Sequence, residues 1–133
     1  MKNTVSILTF LAIFVGLSGS CCKDLHSDIY LDNNSGQAIY YGLSYSYPDT
    51  SINKISQVPG YDGNISHKIA SGEQNILPAT NFAYNSTMQV FIFDASTIET
   101  TPWDSIVAHS MVLKRYQFTV NDMEQCNWTI TYP

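Results

Sequence analysis

Apolar residues recur at every second position in several short stretches of this 133-residue chain, and this period of two is typical of β-strands. In residues 38–47 (AIYYGLSYSY) one face carries Ile39, Tyr41, Leu43, Tyr45 and Tyr47. Residues 88–94 (MQVFIFD) are apolar on both faces, which predicts a central strand that is covered on each side. Further strands are predicted at residues 28–32, 65–70, 73–77, 112–119 and 128–132. The pattern therefore predicts seven strands.

Two short helices are predicted on the connections between strands, because each begins with a capping signal. The first begins at Thr101 and Pro102, and apolar residues follow at helical spacing from Trp103. The second begins at Thr119, again with apolar residues on one side. We interpret the first helix as a cover over one face of the central strand.

These elements predict a mostly β fold, an immunoglobulin-like antiparallel β-sandwich of about seven strands with two short helices. The alternative is an α+β two-layer fold in which the Trp103 helix packs on one sheet. Ser71 and Gly72 predict a hairpin between residues 65–70 and 73–77. Residues 32–36 (DNNSG) predict a turn, since they lack the ligand spacing and the closing Glu of a calcium loop.

The first 20 residues follow a different pattern. Lys2 precedes an uncharged apolar run at residues 5–17, which has the length of a signal peptide. A relaxed membrane-spanning helix needs about 20 such residues. Small residues at 18–20 then supply a cleavage region before Cys21. This segment resembles a bacterial lipoprotein signal, in which small residues precede a cysteine that is lipidated and becomes the first residue of the mature protein.

Cys21 is the predicted site of lipidation, with palmitate as the expected acyl group. The residues before it, Gly19 and Ser20, are small enough for a narrow peptidase cleft. Cys22 is the alternative, but it would place the larger Cys21 in that cleft. The competing interpretation is a soluble secreted protein in which the two cysteines are incidental or disulfide-bonded.

Cleavage before Cys21 divides the chain into three segments. Residues 1–20 are the predicted signal peptide, residues 21–27 a lipidated tether, and residues 28–133 a single β-rich domain. A multiply acylated cysteine is sufficient for stable membrane residence without a spanning segment. The predicted location is the bacterial cell envelope, at the outer membrane, on either its periplasmic or its surface face.

The net charge of the chain limits the classes of partner that it is expected to bind. The chain has 11 acidic and 6 basic residues and a formal net charge of −5, and loss of Lys2 with the leader makes it more negative. Basic residues form no cluster. This composition argues against nucleic acid as a partner and against adsorption to anionic lipid. Membrane contact is therefore predicted through the lipid anchor only.

No catalytic motif is recognisable, and neither a metal nor a cofactor is predicted. The histidines His26, His67 and His109 are far apart and fit no zinc-ligand spacing. Asp94, which ends the central strand, is predicted to be a cap and not a catalytic group. These observations favour a protein that is not an enzyme. The alternative is a small hydrolase of glycan or peptide, with carboxylates that meet only in the fold.

The predicted function is a non-enzymatic binding or structural module of the envelope, with a partner protein or a glycan as ligand. Tyr61, between Gly60 and Asp62 in the long segment 48–64, is a candidate ligand contact, because exposed aromatic residues favour binding. The alternative is an ordinary meander that packs its aliphatic residues against the sheet. Ser105 is a candidate O-glycosylation site, because the triplet DSI is similar to a short signal of the Bacteroides group.

Two stretches carry a wider resemblance. Residues 39–51 (IYYGLSYSYPDTS) and 102–133 (PWDSIVAHSMVLKRYQFTVNDMEQCNWTITYP) resemble segments of a group of small Bacteroides-type lipoproteins of unknown function. The resemblance implies an envelope location and no particular activity. It also implies Leu at the position of Cys126, which favours a buried small hydrophobic residue there over a reactive thiol. A disulfide between Cys22 and Cys126 stays open.

Overall fold

The computed structural model describes residues 28–56, 59, 67–82 and 86–133. Within these residues seven strands form two open sheets, with three α-helices and one 3₁₀ helix on the connections. The strands are β1 (Ile29–Asn33), β2 (Ile39–Ser44), β3 (Lys68–Ile69), β4 (Gln74–Leu77), β5 (Met88–Asp94), β6 (Lys114–Phe118) and β7 (Thr129–Tyr132). The helices are α1 (Ala95–Thr100), α2 (Trp103–Ala108), α3 (Val120–Gln125) and the 3₁₀ helix (Ile52–Lys54). The predicted mostly β sandwich of seven strands is confirmed.

The two sheets have different sizes. One has three strands in the order β4-β1-β7, and the other has four in the order β3-β2-β5-β6. All strand pairs are antiparallel except β1 and β7, which run parallel. The parallel pair places the last strand of the domain beside the first, so that Leu31 lies opposite Ile130.

The main core lies between the sheets. Its fully or nearly fully buried side chains include Ile29, Leu31, Ile39, Tyr41, Leu43, Met88, Val90, Ile92 and Ile130. Burial of each such aliphatic side chain contributes about 1.5–3 kcal/mol. The alternation predicted for β7 is confirmed, because Ile130 is buried while Trp128 and Tyr132 pack against the same core.

A second core covers the other face of β5. Phe91 and Phe93 point away from the sandwich interior and pack under α2, where Ile106 is buried and the Trp103 ring meets Phe93 edge to face at 5.7 Å. Ile52, from the 3₁₀ helix, also packs into this cluster. The central strand is therefore covered on both sides and α2 is its cover, as predicted. Helix α2 forms an additional layer outside the two sheets, so the fold is a sandwich and not the alternative two-layer α+β fold.

Helix starts are set by side-chain caps in two cases. Asp94 ends β5 and caps α1, accepting a hydrogen bond from the Thr97 N–H at 2.8 Å. Hydrogen bonds from the Ser96 hydroxyl and then from the Thr97 N–H lower the pKa of Asp94. The predicted role of Asp94 as a cap is confirmed. At α3, Thr119 and Asp122 form a capping box, also as predicted.

The number of helices exceeds the prediction of two. Helix α1 follows β5 directly and was not predicted, because its six residues (ASTIET) show no strong helical period. Helix α2 begins one residue later than predicted, with Pro102 at the N-cap and no side-chain cap from Thr101.

The predicted hairpin around Ser71 and Gly72 is wrong. β3 pairs with β2, and β4 pairs with β1, so the turn crosses from one sheet to the other. Gly72 adopts a φ of 78°, a left-handed conformation that favours glycine. Strand periodicity shows which face is apolar but does not choose the partner strand, and this is why the pairing was not visible in the sequence.

The crossing turn is held by Asn33, which is fully buried at the end of β1. Its Nδ2 donates to the carbonyl oxygens of Gln37 at 2.8 Å and of Ile69 and Ala70 at 3.1 Å each. Its Oδ1 accepts from the N–H and the hydroxyl of Ser35, which confirms the predicted turn at DNNSG. One amide therefore connects β1, the turn that follows it and the end of β3.

Helices of the described part of the chain are all too short or too polar to cross a lipid bilayer. The predicted signal peptide (1–20) and tether (21–27), including Cys21 and Cys22, lie outside the described residues.

Candidate functional site

The two sheets differ in what covers their outer faces. Helix α2 and the 3₁₀ helix pack on the outer face of the four-stranded sheet. The outer face of the three-stranded sheet instead presents side chains to solvent, and Ile76 is 48% exposed there. We call this surface the open face, and its residues are Tyr30, Asp32, Gln74, Ile76, Thr129 and Thr131.

The strand register arranges the open face in two rows. Tyr30 stands between Ile76 of β4 and Thr129 of β7. In the second row Asp32 stands between Gln74 and Thr131. Adjacent strands lie about 4.8 Å apart, and residues two positions apart on a strand lie about 7 Å apart. The open face is therefore a flat surface of roughly 10 by 7 Å between side-chain origins, about the size of one or two sugar rings.

The two rows differ in chemistry. The first has a half-buried aromatic ring, Tyr30, beside an exposed aliphatic side chain. The second is polar, and the Gln74 Nε2 donates to the Asp32 Oδ1 at 2.5 Å, which orients the carboxylate. Threonine hydroxyls border both rows on the β7 side. An apolar strip beside an oriented polar strip can hold a ligand that has one apolar face and a hydroxyl-rich edge.

The local sequence explains why these side chains point outward. In β1, Ile29, Leu31 and Asn33 are buried, so the alternating residues Tyr30 and Asp32 face the other side of the sheet. In β7, Ile130 is buried in the same way. Both strands were predicted from the sequence, but the open face was not, because only the parallel pairing of β1 with β7 puts Tyr30 beside Thr129. The sequence signal for this surface was the pair of outward-facing sets, Tyr30 and Asp32 on β1 and Thr129 and Thr131 on β7.

The predicted site residues lie elsewhere. Tyr61, like the cysteines Cys21 and Cys22, is outside the described residues, and its role stays a prediction. In the described part of its segment, Ile52 and Ile55 are buried against the four-stranded sheet, as the meander interpretation expects. The O-glycosylation candidate Ser105 is half-buried on α2, on the side of the sandwich opposite the open face.

Two of the three histidines lie in the described residues and are separated by the four-stranded sheet. His67 is buried, its carbonyl oxygen accepts a hydrogen bond from the Tyr41 N–H at 3.1 Å, and the two rings stack with centroids 4.8 Å apart. His109 is exposed at the end of α2. No group of three histidine, cysteine or acidic side chains that could hold a metal occurs within the described ranges. His67 is accordingly part of the packing of the interior.

Cys126 is half-buried at the end of α3. It packs against the main core, and its Sγ lies 3.4 Å from the carbonyl oxygen of Met123. This placement agrees with a small residue that packs, more than with an exposed reactive thiol. Cys22 lies outside the described residues, so the disulfide with Cys126 stays open.

A charged cluster on the helix side joins α1 to the sheet. Glu99 accepts hydrogen bonds from the Lys68 Nζ at 2.5 Å and from the Tyr40 hydroxyl at 3.2 Å. The hydrogen bond from the Lys68 ammonium lowers the pKa of Glu99. All three side chains are occupied in fastening α1 across β2 and β3, so we interpret this cluster as structural.

The open face therefore combines an aromatic ring, an aliphatic side chain, a carboxylate, an amide and hydroxyls on one flat sheet surface. A flat surface of this kind favours binding, whereas a hydrolase needs a cleft with two close carboxylates or a histidine–carboxylate pair. No protein-family model, curated protein or solved structure matches this chain.

Proposed function

We propose that this protein is a lipoprotein of the bacterial cell envelope, anchored through Cys21, that binds a glycan through the open face without catalysing a reaction. The observation that carries the binding part is the placement of Tyr30 in the centre of an exposed three-stranded surface, beside a row of oriented polar side chains. A partner protein is the competing ligand.

The chemistry of the open face favours a glycan over a protein. A sugar ring has an apolar C–H face and an edge of hydroxyl groups. The Tyr30 ring and Ile76 match the first, and the Asp32 carboxylate and the Gln74 amide match the second. The centres of protein–protein interfaces are depleted in charged residues, yet the open face has a carboxylate in its central strand.

The anchor is supported by the leader sequence. The apolar run at residues 5–17, the small residues at 18–20 and Cys21 follow one another as in lipoprotein signals. The acidic composition is compatible with a domain that touches the membrane through its lipid alone. The resemblance to small Bacteroides-type lipoproteins supports the same location, at the outer membrane.

Replacement of Cys21 tests the anchor. We expect Cys21→Ser to abolish incorporation of labelled palmitate and to release the protein from the membrane fraction, because the acylated thiol is lost. Cys22→Ser is the matched control and should keep both the label and the membrane location. Loss of the label in Cys22→Ser alone would show that Cys22, and not Cys21, carries the lipid.

Replacement of Tyr30 tests the binding surface. With the full-length protein in detergent micelles on an array of bacterial and host polysaccharides, we expect Tyr30→Ala to weaken binding to retained glycans at least about tenfold, which corresponds to about 1.4 kcal/mol. Tyr30→Phe should retain most of the binding, because stacking needs the ring and not the hydroxyl.

The control is Tyr47→Ala, which removes an exposed tyrosine (46% exposed) outside the open face. This variant should bind glycans like the original protein, and the melting temperature of each variant shows that the domain is folded. Equal losses in Tyr30→Ala and Tyr47→Ala would contradict the proposal. So would a protein that binds no glycan and instead captures one envelope protein through Tyr30.

A further inference from the structure

Arg115 is the only arginine of the chain, and it lies on the edge strand β6. Its Nη1 donates to the amide oxygen of Gln89 at 3.0 Å and to that of Gln117 at 3.3 Å. Both acceptors are neutral. No carboxylate among the described residues forms an ion pair with Arg115, although acidic residues outnumber basic ones in the chain. The positive charge of Arg115 is therefore held in place without being neutralised.

The residue that holds Arg115 is itself fixed. Gln89 is fully buried in β5, a strand whose other interior residues are apolar. Its Nε2 donates to the carbonyl oxygen of Asp49 at 2.9 Å, which orients the amide so that its Oε1 faces Arg115. Because Gln89 is immobilised by burial and by this bond, the guanidinium it holds loses little further freedom when a ligand arrives.

The hydrogen bonds of Arg115 use one end of the guanidinium. A guanidinium has five N–H donors, of which Nη1 has two, and the two glutamine oxygens occupy that nitrogen. Within the described part of the chain, the edge formed by Nε and Nη2 makes no hydrogen bond. That edge has two parallel N–H groups, the arrangement that binds a carboxylate or a sulfate with two hydrogen bonds.

We propose that Arg115, positioned by Gln89 and Gln117, is the anchor of a binding site for an oxyanion, a carboxylate or a sulfate group. The site lies on the helix-covered side of the four-stranded sheet, because Arg115 is in register with Phe91, which faces α2. The open face is on the other side of the sandwich, so this proposal does not depend on the proposed glycan site.

A simple structural role predicts something different. If the hydrogen bonds of Arg115 to Gln89 and Gln117 only fastened β6 to β5, an added anion would show no preference for Arg115 over the neighbouring Lys114. Lys114 points to the opposite face of β6, where its Nζ lies 5.8 Å from the centre of the Tyr116 ring. Lys114 is therefore a matched control, because it has the same charge and an adjacent position but lacks the paired N–H donors of a guanidinium.

The test uses nuclear magnetic resonance of the full-length protein in detergent micelles. A single arginine should give a single guanidinium Nε–H signal. We expect sodium sulfate and sodium acetate, added separately at ionic strength matched with sodium chloride, to shift this signal with a saturating curve, and chloride alone to leave it unchanged. The two titrations show whether sulfate or carboxylate is the better ligand.

Variants distinguish the effect of the paired N–H donors of Arg115 from the effect of its positive charge. Lys114→Gln should keep the dissociation constant within about twofold, whereas Arg115→Lys, followed through the side-chain amide signals of the glutamines, should raise it at least about tenfold because the paired donors are lost. Gln117→Leu, at an exposed position, should weaken binding as well and provides a second variant if Arg115→Lys does not fold. A shift that chloride reproduces, that never saturates, or that Lys114→Gln reduces as much as Arg115→Lys does would overturn the proposal.

Discussion

Deletion of residues 127–133 is expected to leave the domain unfolded at 25 °C. The deletion removes β7, whose Ile130 is 2% exposed and whose neighbours Trp128 and Tyr132 pack against the main core. Each loss of such a side chain costs about 2–5 kcal/mol, and the sum is comparable with the 5–15 kcal/mol that stabilises a typical domain. The deletion also exposes one edge of β1, because β1 loses its parallel partner.

Circular dichroism during urea and thermal unfolding measures this effect. Deletion of the exposed Pro133 alone is the control and should leave the midpoint unchanged. The single variant Ile130→Ala should lower the free energy of unfolding by about 2–5 kcal/mol, whereas Thr131→Ala, at the next and exposed position, should change it by less than about 0.5 kcal/mol. A protein lacking residues 127–133 that still melts cooperatively near the full-length temperature would show that β7 is dispensable.

Asn33→Ala is expected to lower the free energy of unfolding by about 3–4 kcal/mol. The amide of Asn33 donates to three carbonyl oxygens, those of Gln37, Ile69 and Ala70, and accepts two bonds from Ser35. Truncation removes the buried hydrogen bond to the Ile69 carbonyl oxygen and the part-buried bonds to Gln37 and Ala70, and a buried polar group left unsatisfied costs about 1–3 kcal/mol. The local reason for the size of the effect is that one side chain connects both sheets.

Chemical unfolding of matched variants checks this prediction. Asn34→Ala is the control, because the Asn34 side chain is exposed and the change should cost less than about 0.5 kcal/mol. Asn33→Asp has nearly the same shape but replaces the donating amide with an acceptor that faces carbonyl oxygens, so it should destabilise the domain at least as much as alanine. If Asn33→Asp is as stable as the original protein, the donated hydrogen bonds are not what holds the crossing turn.

The two proposed ligand sites depend on different strand pairings. The open face depends on the register of β1 with β4 and β7, whereas the Arg115 site depends on the register of β5 with β6 and on the Asp49 carbonyl. Tyr30→Ala should therefore leave oxyanion binding unchanged, and Arg115→Lys should leave glycan binding unchanged. The two proposals can fail independently.

Local pattern was sufficient for much of the architecture. The mostly apolar run of residues 88–94 predicted the central strand with the bounds that it has in the structure. The alternation in residues 128–132 predicted which side chains enter the core, and Asp94 and Thr119 were identified as caps. These features depend on neighbours within a few residues, so their physical causes (pleat, burial and capping) are present in a short stretch of chain.

Features that depend on distant residues came only from the tertiary structure. A period of two does not say which strand is the partner, so the sequence predicted a hairpin where the chain crosses between sheets, and it did not predict the parallel pairing of β1 with β7. Both candidate ligand sites arise from such pairings. Tyr30 acquires its neighbours from residues 76 and 129, and Arg115 is oriented by a glutamine 26 positions earlier, because contacts across strands are set by the packing of the whole domain.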